Sequence, residues 1–275
     1  MGKDSAIAWT DHTWNPWWGC RKIRRACENC YAAAFAKRTG FDVFGTGARR
    51  FFGENHWREP LAWEREAKDS GLRRRVFCMS MGDIFETRND LCEPRRRAFA
   101  LIRATPHLDW LVLTKRIASA DGMIRACGGW PTNARLGITV GTREDASEDI
   151  PTLLGLSAAH DCKTFLSIEP QLESIDLEDI VVQEEHGEHH FSALECDVDP
   201  ADDEGWKGKT VGWVICGAES NGNRLGRHFD PDWARQLRDQ CVRNGVPFFY
   251  KQGPVSGKLV HLPELDGRVW AEVPS

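Results

Sequence analysis

The stretch that decides the fold is "RVFCMSMGDIFETRNDLCEPRRRAFALIRATPHLDWLVLTK", residues 75–115. Its ends, "RVFCMS" (75–80) and "WLVLTK" (110–115), are short apolar runs without clean polar alternation, which is how strands covered on both faces read. Between them "EPRRRAFALIRAT" (93–105) places Pro94 in a first turn and keeps an apolar face on Phe99, Leu101 and Ile102, so a helix is expected there. A strand, a helix and a second strand imply a parallel crossover.

The same unit recurs. "RLGITV" (135–140), "KTFLSIE" (163–169), "GWVICGAE" (212–219) and "VPFFYKQ" (246–252) read as further strands, and "SAIAWTD" (5–11) as a first one. "DPDWARQLRDQCVRNG" (230–245) reads as a helix with Asp230 as N-cap, Pro231 in the first turn and Asn244-Gly245 as the stop. The fold class expected is α/β, a partial or full parallel (β/α) barrel, with a doubly wound sheet second. The whole chain, 1–275, is read as a single domain. Residues 183–209, acidic and without periodicity, read as a partly disordered surface insertion. His186, His189 and His190 within it are weak metal candidates, since exposed histidine runs are more often solvated.

The chain has 275 residues and a formal charge of -5, which argues against nucleic-acid binding through overall charge while permitting a local basic patch. No apolar window is long enough to span a membrane and no secretory signal opens the sequence, so a cytoplasmic location and no membrane partner are expected. Ten cysteines in such a chain favour metal or redox chemistry over a disulfide framework. Cys78 and Cys216 sit in apolar runs and read as buried. Cys92, Cys127, Cys162, Cys196 and Cys241 have no partner at ligand spacing.

Cys20, Cys27 and Cys30 do cluster, as C-x6-C-x2-C within "WWGCRKIRRACENCYA" (17–32). Three readings stay open. A [4Fe-4S] cluster held by three thiolates leaves one iron for another ligand. A structural zinc needs a fourth ligand, from His12 or a distant cysteine. The third reading is coincidence. Arg21, Lys22, Arg24 and Arg25 within the loop would lower thiol pKa values and offset an anionic cluster, or be a solvated charged loop. Trp14, Trp17, Trp18 and Tyr31 would shield a cluster or be core. In either α/β architecture chemistry gathers at the carboxyl ends of strands. Ser80, Gly82, Asp83, Lys115, Thr139, Ser167, Glu169, Glu219 and Lys251 all fall there, where ordinary strand-end salt bridges are the competing explanation.

"WTDHTWNPWWGC" (9–20) with Cys27, Cys30 and Tyr31, "LVLTKR" (111–116), "SIEPQL" (167–172), "WVICGAES" (213–220) and "GVPFFYKQ" (245–252) together resemble the phage Gp37/Gp68 family, also called DUF5131 or three-Cys-motif proteins. That family looks like a divergent branch of the radical S-adenosylmethionine enzymes, most similar to the spore-photoproduct-lyase-like group. The resemblance implies a (β/α)6 partial barrel with a [4Fe-4S] cluster and S-adenosylmethionine as cofactors. It implies Cys20, Cys27 and Cys30 as iron ligands. Ser80, Gly82, Asp83, Thr139, Ser167 and Glu219 become cofactor-binding candidates, and Lys115 and Glu169 catalytic ones. It also implies an external flavodoxin- or ferredoxin-like electron donor and a nucleic-acid or nucleotide substrate. The first cysteine gap of six departs from the common spacing of three. A zinc-stabilised nucleic-acid-binding or interaction module without catalysis is the alternative.

Overall fold

The computed structural model describes residues 2–184, 187–195, 209–222 and 224–274. Eight strands make the main sheet: β1 (His12–Thr13), β2 (Arg74–Cys78), β3 (Leu108–Thr114), β4 (Ala134–Thr139), β5 (Lys163–Ile168), β6 (Val214–Gly217), β7 (Phe248–Val255) and β8 (Lys258–His261). Their order in the sheet is their order in the chain, with β1 and β8 at the two edges. The β1–β2, β2–β3, β5–β6 and β6–β7 pairs are parallel and β7–β8 is antiparallel. A sequential parallel order is that of a singly wound (β/α) partial barrel; a doubly wound sheet would reverse direction part-way. The α/β expectation therefore holds in its partial-barrel form.

The helices are α1 (Tyr31–Arg38), α2 (Glu54–Ser70), α3 (Cys92–Arg103), α4 (Ala120–Ala126), α5 (Arg143–His160) and α6 (Pro231–Arg243). The chain clusters into two compact units, Met1–Leu136 and Gly137–Ser275.

In the first unit β2 and β3 bury nearly every side chain from Val76 onward, which is why neither alternates in sequence. Helix α2 lays Trp57, Pro60, Trp63 and Ala67 inward at helical spacing and ends on Gly71 at φ +68°, a left-handed position that glycine takes without strain. Trp14, fully buried, meets Trp57 and Trp110 edge-on at 5.0 and 5.7 Å. Helix α3 buries Phe99, Leu101 and Ile102 as its pattern requires. The first strand departs from expectation. Residues 5–11 are not extended; β1 begins at His12. Local polar groups close the earlier segment: Ser5 N donates to Asp11 O, Thr10 N to Ile7 O, and Ile7 N to Ser5 Oγ, an alternative to strand pairing that short hydroxyl side chains offer.

In the second unit Trp213 packs in the core against Phe165, tilted at 6.1 Å, and against Phe249, edge-on at 6.2 Å. Gly137 is required beside them, since a Cβ there would collide with the Phe165 ring. Helix α6 is capped as expected: Asp230 accepts from Asp232 N, Pro231 opens the helix, and Gly245 follows the C-cap at φ +65°. β7 runs three residues past its expected end into a hairpin turned by Ser256 and Gly257, both at positive φ, the conformation a two-residue turn matching strand twist needs.

Part of the 183–209 region is described. Ile180–Glu184 pairs antiparallel with Gly187–Phe191, so the region's start holds a regular strand pair. Residues 185–186 and 196–208, with His186, lie outside the described residues. No helix among the described residues is long and apolar enough to cross a membrane.

Candidate metal and cofactor site

From the end of β1 the chain runs through Trp14, Asn15 and Pro16. Trp17–Trp18 then pairs with Arg50–Phe51, and Gly19 bridges in parallel to Gly82, beyond the end of β2. Cys20 follows at once. Cys27 closes a short 3-10 turn, and Cys30 is the N-cap of α1. The cysteine loop is thus seated on the carboxyl end of the sheet.

Cys27 is buried; Cys20 and Cys30 are half-buried. Burial pushes the Cys20 thiol up to about 12, and the negative charges of Asp83, Cys30, Glu86 and Cys27 push the same way. The three thiols and the two carboxylates therefore share one electrostatic neighbourhood. Among the described residues no three His, Cys, Asp or Glu side chains form a ready metal cage. Two further observations bear on fit. The indole Nε1 of Trp17 is buried without a hydrogen-bond partner, a costly state for a donor. It points to the place where a Cβ of Gly82 would stand 3.3 Å away and clash with Met79 Cε. A loop that offers three soft thiols and no fourth ligand fits an iron–sulfur cluster, and the unpartnered Trp17 N–H lies at the Gly82 turn to which that loop is bridged. Such a loop fits zinc less well. His12, the zinc candidate, lies within β1 with Nδ1 accepting from Asp4 N and its ring 4.6 Å from Trp63.

The loop is held by groups its sequence did not disclose. Asn15 accepts from Met81 N at 2.8 Å and donates to Ser80 Oγ at 3.3 Å. Tyr31 donates its hydroxyl proton to Ser80 O at 2.9 Å. Gly19 N donates to Met81 O and Gly45 N to Cys20 O. Glu86 accepts from Arg21 N at 3.2 Å and is forked by Arg49 at 2.8 and 2.6 Å. Arg49 and Glu86 are almost wholly buried. The 37 residues separating them carry no pattern that would have paired them in advance.

The Ser80–Asp83 turn follows the end of β2. Ser80 and Gly82 line the loop contact. Asp83 is turned to internal donors: Thr114 Oγ1 at 2.7 Å, Lys115 N at 2.9 Å and Phe85 N at 3.0 Å. It locks the end of β2 to the end of β3. Lys115 is thereby anchored through its backbone, with its side chain half-buried.

In the second unit Thr139 and Ser167 are buried at the ends of β4 and β5. Glu169 accepts from Lys251 Nζ at 2.5 Å and Gln252 Nε2 at 3.0 Å, so Lys251 is engaged in an ordinary strand-end ion pair. Glu219 is gripped by Arg227 through its backbone N and Nε at 3.0 Å and Nη2 at 2.5 Å; Arg227 had no sequence signal. Trp14 proves to be core, while Trp18 packs on Phe35, Phe41 and Phe52 around the Arg50 guanidinium. His190 bonds Asp179 at 2.6 Å, which raises its pKa, and His189 stacks on Phe191. Neither joins a metal-ligand group among the described residues.

The family model described as a protein of unknown function (DUF5131) matches residues 4–274. No curated protein matches the chain. Among solved structures, a cysteine-to-alanine mutant of spore photoproduct lyase with dinucleoside spore photoproduct is 14% identical, covering 94% of this chain and 70% of that one at a TM-score of 0.49. A tyrosine-to-phenylalanine mutant of the same lyase is 13% identical, covering 95% and 71% at 0.48. At these values the likeness carries no argument about chemistry, and the fold assignment stands on strand order.

Proposed function

The chain belongs to the DUF5131 family, and from the seat of its cysteine loop we propose that it is a radical S-adenosylmethionine-type enzyme. Cys20, Cys27 and Cys30 would hold three irons of a [4Fe-4S] cluster, and S-adenosylmethionine would take the fourth. When bound, these groups supply one-electron cleavage of the sulfonium to a 5′-deoxyadenosyl radical. The observation that supports this reading is the place of the three-cysteine loop at the carboxyl end of β1, with Gly19 bridged to Gly82 of the Ser80–Asp83 turn and the indole N–H of Trp17 buried without a partner.

The chain's own residues have separable tasks. Asn15 and Tyr31 fix the Ser80–Met81 backbone against the loop. Asp83 orients Thr114 and the backbone of Lys115. The basic residues of the loop do not lower the Cys20 thiol as their sequence suggested, because burial and the Asp83 and Glu86 carboxylates act on it upward. In the second unit Glu169 and Glu219 are each held by a cation, Lys251 and Arg227. The substrate that accompanies the proposal is a nucleotide or nucleic acid, the class the resemblance implies.

The test is metal analysis of the protein purified and reconstituted with iron and sulfide in the absence of oxygen. Near four irons and four sulfides per chain, with a visible spectrum perturbed by S-adenosylmethionine, is the expected result. A colourless protein carrying one tight zinc would overturn it.

A further inference from the structure

Two thiols outside the metal site share one guanidinium. Among the described residues Cys92 is the one exposed cysteine. It is the first residue of α3, where its Sγ lies 3.8 Å from Arg88 O. Cys127 is half-buried and is the C-cap of α4. Two arginines fasten that end of α4 to α3. Arg96 Nε donates to Ala126 O at 3.4 Å, and Arg103 Nη2 donates to Cys127 O at 2.8 Å. Cys92 stands one helical turn before Arg96 and so shares its face. Arg95, almost wholly buried, serves both thiols: it hydrogen-bonds Cys92, and its charge acts on Cys127. Burial pushes the Cys127 thiol up, against the pull of Arg95, Arg96 and Arg103. Gly128 and Gly129 follow Cys127 at φ +82° and +88°. Glycines there give the backbone the freedom to bring one sulfur onto the other.

We propose that Cys92 and Cys127 are a modification site, a thiol pair that closes to a disulfide by exchange with a small-molecule disulfide of the glutathione type and reopens with excess thiol. The pair needs no metal, so it stands apart from the cluster reading. The Cys92 thiolate attacks one sulfur of the small disulfide; that S–S bond breaks, and one thiolate leaves with the electron pair. Cys127 gives its proton to solvent and attacks the Cys92 sulfur of the mixed disulfide, and the second thiolate leaves. Two protein thiols are thereby oxidised by two electrons in all. One small disulfide is reduced to two thiols, which take up the two protons. The roles follow from exposure. Cys92 meets solvent, and Cys127 stays protonated until the mixed disulfide is beside it. The pair is also tied to the neighbouring segment: Arg95 donates to Ile84 O at 2.6 Å and Glu86 O at 2.7 Å, and Glu86 accepts from Arg21 N. Closing the disulfide therefore acts on the stretch that seats the cysteine loop.

The test is peptide mapping of the full chain after incubation in an oxygen-free glutathione redox buffer, alkylation of the remaining thiols and digestion with trypsin. Expected is a disulfide joining residues 89–95 to residues 126–135, the tryptic peptides that carry Cys92 and Cys127. Excess dithiothreitol should remove it. Its yield should drop when the same incubation is done in urea, because unfolding separates the two thiols. In Cys127→Ser glutathione should remain on Cys92, and in Cys92→Ser the linked peptide should be lost, both variants melting as the wild type does. A wild type in which glutathione stays on Cys92 and no linked peptide forms would overturn the pairing. A disulfide from Cys92 to Cys20, Cys27 or Cys30 would do the same, as would a linked peptide that forms as readily in urea as in the folded chain. Each of these overturning results is read on the wild-type chain, so a serine variant that fails to fold does not shield the proposal.

Discussion

Arg49 makes five hydrogen bonds: two to the Glu86 carboxylate and one each to the carbonyls of Val43, Gly45 and Gly47. Glu86 in turn accepts from the backbone of Arg21, inside the cysteine loop. Lysine could not reproduce this fork. Arg49→Met would strand a buried carboxylate and three carbonyls, so a loss of about 3–5 kcal/mol in urea unfolding is expected, with weaker iron retention. Arg49→Met/Glu86→Leu should recover part of that stability, because an apolar replacement of both partners costs less than one orphaned charge. The cysteines were legible because ligand spacing is local. This pair was not, because sequence carries no period linking positions joined only in space. His12 gives a second expectation at this scale. Burial depresses its pKa below 6.5. Between the folded and unfolded values the unfolded chain binds more protons, so stability falls as pH drops below about 6.5 and is unaffected above it. Urea midpoints at pH 7.5 and 5.5 should therefore differ less for His12→Asn, which keeps an acceptor near Asp4 N, than for the wild type.

Elements were legible in proportion to how fully they are buried and how long they run. Val76–Cys78 and Leu108–Thr114 read as strands because both faces are covered, and their ends fell within two residues of the expected ones. β1 did not, since two residues carry no pattern, and the turn before it is written in Ser5, Thr10 and Asp11 hydrogen bonds rather than in hydropathy. Helix α5 shows a signal that is short but chemically explicit. In "GTRED" (141–145), Thr142 accepts from Asp145 N at 3.1 Å, and the Asp145 carboxylate accepts from Gly141 N and Thr142 N. This reciprocal cap satisfies donors that an 18-residue helix would otherwise leave open. Thr142→Ala is expected to cost about 1 kcal/mol, seen as a lower urea midpoint with an unchanged slope.

For the molecule as a whole, the question is whether metal makes the fold or the fold makes a metal site. The contacts that seat the cysteine loop are Gly19 N to Met81 O, Gly45 N to Cys20 O, Arg116 Nη2 to Arg21 O and Tyr31 Oη to Ser80 O. None uses a thiol. Trp14, Trp57 and Trp110 pack edge-on against one another through their own rings. A structural zinc module behaves otherwise, since there metal binding supplies the folding free energy, on the order of 10 kcal/mol or more. The variant Cys20→Ala/Cys27→Ala/Cys30→Ala should therefore stay folded. Of the three, only Cys27 exposes less than a tenth of its surface, so the lost sulfur packing is about 1–2 kcal/mol, a fall of only a few degrees in melting temperature for a chain of this size. Circular dichroism melts of metal-free wild type and variant, beside iron analysis after reconstitution, check both halves: near-equal melting and complete loss of bound iron in the variant. A variant that fails to fold while the metal-loaded wild type melts cooperatively would make the trio a structural clip, and the chemistry of the sheet end would then have to rest on Glu169, Glu219 and their cations.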